Sequence, residues 1–153
     1  MAAQTSDEAD RQAAGRPFTV TGVLVGFLFL SVTALYGGIA LVLAPDGSRI
    51  DAVMPVDLTH LVGTPFADYT IPGVVLVVTL GFGPLVAVYG LLTRRDWAWL
   101  AAVLVGPVLL VWLTVEVALI GYVSVLQPAY AVFGLALLVL AFTEPVRAYC
   151  RPA

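Results

Sequence analysis

Hydrophobic residues dominate four stretches of the chain, which are separated by short polar segments. The stretches cover positions 20–43, 71–92, 97–126 and 128–142. A membrane-spanning helix needs about 20 apolar residues, with a usable range of about 17 to 25, and the first two stretches fit directly. The last two form one nearly unbroken tract that is too long for a single span. We therefore predict four spans, with a hairpin between Gly121 and Pro128 and a break just before Pro128.

Composition supports the same class, since 61% of the 153 residues are hydrophobic and 11% are charged. These fractions are typical of integral membrane proteins. The predicted fold is therefore all-α, a polytopic antiparallel bundle of four transmembrane helices in the lipid bilayer. It divides into a polar tail at 1–19, a transmembrane domain at 20–143 with an outer loop at 44–70, and a C-terminal tail at 144–153.

Arginine placement predicts the orientation of these helices in the cell membrane. With four spans, six arginines fall on one side and one, Arg49, on the other; the six are Arg11, Arg16, Arg94, Arg95, Arg147 and Arg151. Positively charged loops stay in the cytoplasm. The sequence therefore predicts that both termini are cytoplasmic.

Charge and motif content exclude several functions. The net charge is −3 and the chain has no lysine, so no nucleic-acid partner is expected. We find no nucleotide-binding loop, no nucleophile and base pair and no cysteine and histidine cluster, and we predict no cofactor and no bound metal. Cys150 is alone in the C-terminal tail, where we expect a reduced thiol, with lipidation as the alternative.

Glu116 is the only acidic or basic residue between Trp97 and Phe142. A carboxyl group in hydrocarbon requires a partner, a proton or access to water. If the third helix continues far enough, Ser124 and Gln127 share the face of Glu116. Two interpretations remain open: a structural hydrogen bond to another helix, with Ser31, Thr33, Tyr36 and Thr79 as candidate partners, or a site that binds a proton or cation.

The outer loop supplies the second group of candidate site residues, which are Asp57, His60 and Asp68. Positions 55–63 predict a short helix on the membrane surface, and Asp68 or Thr70 is a candidate N-cap of the second span. The loop residues are either a weak cation site or a solvated acidic surface. Because Glu116 is expected near the outer end of its helix, we also predict that it can meet His60.

Gly83-Pro84 and Gly106-Pro107 lie in the middle of the second and third spans. Proline removes a helical hydrogen bond, so Pro84 and Pro107 predict helix breaks that either shape the bundle or provide a hinge. Four small residues at four-residue spacing in the first span predict close helix packing, within the chain or with another chain: Gly22, Gly26, Ala34 and Gly38.

The chain resembles small prokaryotic four-helix membrane proteins that have no assigned activity. The resemblance is carried by positions 64–73 and 116–130, which include the hairpin between the third and fourth spans. The resemblance covers the second to fourth helices and implies the bundle fold without any functional residue. Three functions remain open. The first is a non-enzymatic bundle that packs with a membrane protein partner or with itself, the second is a proton- or cation-coupled carrier that uses Glu116, and the third is an outer-surface enzyme acting on a lipid or quinone through His60.

Overall fold

The computed structural model describes residues 15 to 151, and over that range it is helical with no strand. Most of the predicted N-terminal tail lies outside the described residues. The helices are α1 (Phe18–Leu43), α2 (Thr70–Leu92), α3 (Ala98–Ile120), α4 (Leu126–Ala141) and α5 (Glu144–Cys150), with a 3₁₀ helix at Leu58–Leu61. The first three are each long and apolar enough to cross a membrane, whereas α4 reaches that length only together with α5, at a bend of 61°.

The turn between α3 and α4 falls where the sequence predicts it, although the predicted break at Pro128 is wrong. Helix α3 ends at Ile120, and Gly121 has a φ of +78°, which glycine adopts without strain. Helix α4 then begins at Leu126, so Pro128 lies in its first turn. A missing N–H is harmless there because the first amides of a helix have no partner within the helix.

The two Gly-Pro pairs differ: the predicted break at Pro107 is wrong, whereas the α-helical winding of α2 is interrupted just before Pro84. Helix α3 runs without interruption through Pro107. In α2 the backbone widens into a π-helical segment at Val77–Phe82 and returns to α-helix at Gly83. The buried Ser31 hydroxyl of α1 donates a hydrogen bond to the carbonyl of Gly81 within this wide segment. The change of winding thus lies directly before Pro84, which lacks the N–H of a helical hydrogen bond.

The helices pack in chain order. Helix α1 lies along α2, α2 along α3 and α3 along α4, while α4 meets α1 over a shorter stretch. The largest fully buried side chains of the resulting core include Phe27 and Leu30 of α1 and Leu80 and Leu91 of α2. Large exposed apolar side chains cover the outer faces of the same helices, as on Val25, Val78 and Val111. Apolar helices with this surface fit a membrane protein.

Glycines bring two helix pairs into backbone contact. A Cβ atom on Gly38 of α1 would lie 2.8 Å from the carbonyl oxygen of Gly73 on α2, and one on Gly106 of α3 would lie 2.9 Å from that of Gly134 on α4. Of the predicted Gly22 and Gly26 pair, Gly26 faces Leu137 of α4, whereas Gly22 has no atom within 4 Å of such a Cβ. Packing within the chain therefore occupies most of the small-residue positions.

Within the predicted C-terminal tail, residues 144–150 form a helix. Helix α5 buries Val146 and Cys150 against the bundle and contacts α1 and α3. Two arginines lie over aromatic rings at this end: Arg94 is 4.8 Å from the ring of Tyr149, and Arg147 is 5.4 Å from that of Trp99. The first contact joins α5 to the turn between α2 and α3, and the second joins α5 to the first turn of α3.

The loop between α1 and α2 folds over the other end of the bundle. It has its own small apolar core, in which Ile50, Val56, Leu61 and Tyr69 are buried against the end of α1. The amide of Tyr69 donates to the carbonyl of Pro45 at 3.0 Å, which closes the loop at its base. We call this the loop end of the molecule and the opposite one the Arg94 end.

Candidate functional site

Glu116 lies near the loop end, one helical turn before α3 finishes at Ile120. Trp112, four residues earlier on the same helix face, donates its indole N–H to Glu116 Oε2 at 3.0 Å. The side chain of Gln127, from the first turn of α4, donates to Oε1 at 2.9 Å. Both carboxyl oxygens therefore accept one hydrogen bond from a neutral N–H group.

The orientation of the Gln127 amide follows from its other contacts. Its oxygen accepts from the backbone amides of Val123 at 2.9 Å and Ser124 at 3.4 Å, so its nitrogen must face the acceptors. That nitrogen donates to Gly121 O at 3.1 Å as well as to Glu116. Both N–H groups and both lone-pair positions of the amide are occupied, and the side chain is only 4% exposed. Gln127 thus closes the turn between α3 and α4 and fixes one side of Glu116.

Ser124 ties this turn to the loop. Its hydroxyl lies 3.3 Å from the carbonyl oxygen of Val53, to which it donates, and it accepts from the amide of Leu126 at 3.2 Å. The predicted trio of Glu116, Ser124 and Gln127 is therefore together in space. The predicted reason is wrong, because α3 ends before Ser124 and the three residues do not share a face of one helix.

The partners predicted for Glu116 on the other helices are also wrong. Ser31 bonds to the π segment of α2, and the hydroxyls of Thr33 and Thr79 donate to carbonyls of their own helices. Among the residues from 15 to 151, neither Tyr36 nor His60 makes a hydrogen bond or ion pair with Glu116. The partners are local, at spacings of four and eleven residues, and the spacing of Trp112 to Glu116 was visible in the sequence.

Glu116 faces a cavity of about 770 Å³ at the loop end. Along the chain, the residues that line it start at Leu30 on α1, at Val108 on α3 and at Leu126 on α4. On α2 the lining residues stop at Leu80. We call this part of the bundle the open half and the remainder, toward Arg94, the packed half. The walls are mainly aliphatic and aromatic, and Glu116 is the one acidic or basic side chain among the described residues that line them. The cavity is therefore an apolar space with a carboxyl group in its wall.

The loop residues predicted as a site stabilise the backbone around them. Asp57 caps the 3₁₀ helix, where its carboxylate accepts from the Thr59 amide at 2.8 Å and from the Thr59 hydroxyl. These bonds, the hydroxyl first, lower the pKa of Asp57 below its ordinary value. Asp68 accepts from the amide of Thr70 at 2.9 Å, but the N-cap of α2 is Tyr69, so the predicted N-cap at Asp68 or Thr70 is wrong by one residue.

His60 completes the cap of the 3₁₀ helix. Its Nδ1 accepts from the backbone N–H of Asp57 at 3.2 Å, which places the ring proton on Nε2. The same nitrogen lies 3.2 Å from Asp57 Oδ1, a contact that becomes an ion pair only when Nδ1 is protonated and the backbone bond is lost. Asp57 and His60 are thus adjacent, while Asp68 serves a separate helix. No group of three or more metal-binding side chains occurs within the described part of the chain.

Tyr69 connects the loop to the cavity, which sequence reasoning missed. It lines the cavity, and its hydroxyl donates to the carbonyl of Asp57 at 3.0 Å. Burial, followed by the negative charges of Asp57 and Glu116, raises the pKa of Tyr69 above its ordinary value. The aromatic residue sits at the C-terminal end of a loop rich in polar residues, and only its apolar neighbours Phe66 and Ile71 hinted that it is buried.

The arrangement provides a carboxyl group with two fixed N–H donors and with acceptor capacity left over. A carboxylate offers about four lone-pair positions, and here two of them are used. Such a group can take up a proton, a cation or a hydrogen-bond donor from the cavity. Comparison of the chain with protein-family models, curated proteins and solved structures finds no match.

Proposed function

We propose that the chain is a proton- or cation-coupled carrier of the cell membrane in which Glu116 binds the transported charge. The observation that carries this proposal is a carboxyl group with unused acceptor positions in the wall of an otherwise apolar cavity. An ionisable group placed inside the apolar part of a membrane protein is costly and is typical of ion and proton pathways. Only two N–H groups donate to the carboxylate of Glu116, so its remaining lone pairs are available to the transported species.

The packing of the glycines favours this function over association with a partner. The small residues that could form a helix–helix interface with another chain are used for contacts of α1 with α2 and α4 and of α3 with α4. Gly22 is the exception on α1, because it has open space around it. A homo-oligomer or a membrane protein partner that packs on Gly22 is therefore our second proposal. Replacement of Gly22 by Leu should then reduce the mass of the detergent-solubilised complex to that of one chain, and a monomeric wild-type protein would contradict it.

The carrier proposal includes four antiparallel spans with both termini in the cytoplasm. The arginine distribution supports this orientation, with α4 as the fourth span. To test it, single cysteines are introduced into a Cys150→Ser background. A membrane-impermeant maleimide should label Ser48→Cys on intact cells and Asp96→Cys only after the membrane is permeabilised. The reverse pattern would contradict the orientation.

The carrier function is tested by flux into liposomes. Purified protein is reconstituted with a pH-sensitive dye inside, and a potential is applied across the membrane. Wild type should acidify or alkalinise the lumen according to the sign of the potential, and Glu116→Gln should lower the rate to that of empty liposomes. The matched control is Asp57→Asn, which removes a carboxylate from the exposed loop and should leave the rate unchanged. Equal rates for wild type and Glu116→Gln would overturn the proposal.

Catalysis at the outer surface has less support from the geometry. Asp57 and His60 both bond to the backbone of the 3₁₀ helix, which accounts for their positions without a substrate. If an activity on a lipid or quinone is nevertheless observed, His60→Ala should abolish it. Undiminished activity in that variant would remove His60 from the mechanism.

A further inference from the structure

The size of the cavity matches a small organic molecule. Its volume is about 770 Å³, and sites for cofactors and drug-sized ligands span about 300 to 1,000 Å³. Residues of four helices and of the loop line it, and it is partly open to the surroundings of the bundle, because lining side chains such as Val32, Ile71 and Val111 are exposed. A bare proton or metal ion needs a much smaller space than this.

The hydrogen-bonding groups of the wall offer acceptors to a ligand. The indole of Trp112 and the amide of Gln127 already donate to Glu116, and the hydroxyls of Thr33 and Thr79 donate to their own helices. Tyr69 donates to the loop, which leaves the hydroxyls of Tyr36 and Tyr130, and these can serve in either role. The free lone pairs of Glu116 are thus the strongest interaction available to a ligand.

Charge selects among ligand classes. No arginine lies among the described lining residues, so an anion would face a carboxylate without a compensating positive group. A metal ion is also a poor match, because calcium or magnesium takes six or more oxygen ligands and one carboxylate supplies two at most. A cation whose charge is spread over an apolar body loses little hydration on entering and can use the aliphatic walls.

Aromatic rings add a second reason for a cation. Trp112, Tyr130, Tyr69 and Phe66 all line the cavity, and the first of these is bonded directly to Glu116. Aromatic faces attract organic cations, and more strongly when the cation is desolvated. A cavity that holds one carboxylate, hydrogen-bonded to Trp112, and further aromatic rings is therefore a matched environment for such a ligand.

We propose that the open half binds a lipophilic organic cation, with its charge against the free lone pairs of Glu116 and its apolar body between the four helices. This inference rests on the proposed role of Glu116 and names the class of molecule that the carrier would take. The cation would bind to the carboxylate of Glu116 in place of the proton, so cation and proton would compete for one site.

The test uses two ions of nearly the same size and shape but opposite charge. Tetraphenylphosphonium and tetraphenylborate are titrated into the purified full-length protein in a neutral detergent, and binding is measured calorimetrically. Wild type should bind the phosphonium saturably and at least about tenfold more tightly than the borate, a ratio that corresponds to ~1.4 kcal/mol. Failure of wild type to bind the phosphonium, or tighter binding of the borate, would overturn the inference.

Two variants locate the site. Glu116→Gln should weaken phosphonium binding at least about tenfold, whereas Asp57→Asn should leave it unchanged. Val75→Trp narrows the cavity from α2 and leaves the hydrogen bonds of Glu116 in place, so it should weaken binding even if the first variant misfolds. Melting curves without ligand identify the folded variants. Equal binding by wild type and both cavity variants would place the cation elsewhere and overturn the inference.

The outcomes separate this inference from the carrier proposal. Glu116-dependent proton flux without phosphonium binding would overturn the ligand class and leave the carrier. Glu116-dependent phosphonium binding without any flux would support the ligand class and make the protein a binding protein instead of a carrier.

Discussion

The packed and open halves of the bundle are built from similar sequences but are stabilised in different ways. In the packed half, Phe27, Ala87, Ala98 and Ala141 are fully buried, and the helices meet through small side chains. In the open half the helices surround the cavity; α1 and α2 still meet there through Gly38 and Gly73, and the turn between α3 and α4 is held by hydrogen bonds of Gln127 and Ser124. Apolar content alone therefore does not produce a dense core, because the small residues decide where two helices can approach.

We expect the largest loss of stability from a change of Gln127, because hydrogen bonds of the open half depend on this one side chain. Replacing Gln127 by Leu keeps the volume but leaves the amides of Val123 and Ser124 and one oxygen of Glu116 without their partner. Each buried polar group left in this way costs about 1–3 kcal/mol. We expect a clear fall in the melting temperature in detergent. Tyr122→Leu, which changes an exposed side chain in the same turn, is the control. An unchanged melting temperature in Gln127→Leu would contradict the view that hydrogen bonds stabilise the open half.

The packed half should respond to volume instead of hydrogen bonding. In Gly106→Ala the new methyl group would lie 2.9 Å from the carbonyl oxygen of Gly134, so α3 and α4 must move apart. Overpacking of this kind costs about 1–3 kcal/mol. Gly83→Ala makes the same change in the other Gly-Pro pair, where no atom lies within 4 Å. Melting temperatures should fall for the first variant alone, and equal values would show that the contact is not tight.

Ser31 tests a buried hydrogen bond at the boundary between the two halves. Its side chain is 0% exposed and donates to the π segment of α2. Ser31→Ala should therefore destabilise the protein by about 0.6 to 1.7 kcal/mol, the range for such bonds in membrane helices. Thr79→Val removes a hydroxyl that bonds only within its own helix and should have a smaller effect. Denaturant unfolding in mixed micelles measures both, and an equal cost would assign no special role to Ser31.

The smallest effect concerns pH and the exposed loop. The pKa of folded Asp57 is below its ordinary value of 3.8, so its cap is fully formed above that pH and is lost as the pH falls through the folded pKa. The Thr59 amide resonance should shift over this acidic range. Asp57→Asn keeps an acceptor oxygen but does not titrate, so its Thr59 resonance should stay constant. A shift of equal size in both proteins would exclude Asp57 as the cause.

The sequence predicted the helices well because their apolar length is a direct requirement of the bilayer. The start of α1, for example, differs by two residues from the prediction, and Gly121 ends α3 within the expected turn. The remaining errors concern features that the pattern of hydrophobic residues does not mark. An unbroken apolar tract gives no signal for the first residue of α4, so Gln127 was assigned to the wrong helix, and its role in the turn could not be seen.

In the candidate site, too, the sequence predicted one part and missed another. The isolation of Glu116 in the apolar tract identified it directly. Its true partners depended on side-chain directions at the α3–α4 turn, which sequence spacing does not determine. For the prolines, the sequence marks a lost hydrogen bond in both helices, but it does not distinguish the wide segment of α2 before Pro84 from the regular helix at Pro107.

The short α4 has a consequence for the surrounding lipid. Its 16 residues extend about 24 Å, against about 30 Å for a typical hydrocarbon core, while α1 with 26 residues exceeds that thickness. If α4 spans the bilayer as proposed, the protein presents unequal hydrophobic lengths around its circumference. The bilayer must thin beside α4, or the bundle must tilt to equalise the lengths, at a cost for each ångström of mismatch. Acyl chain length is thus an expected determinant of how well this protein inserts and which membranes retain it.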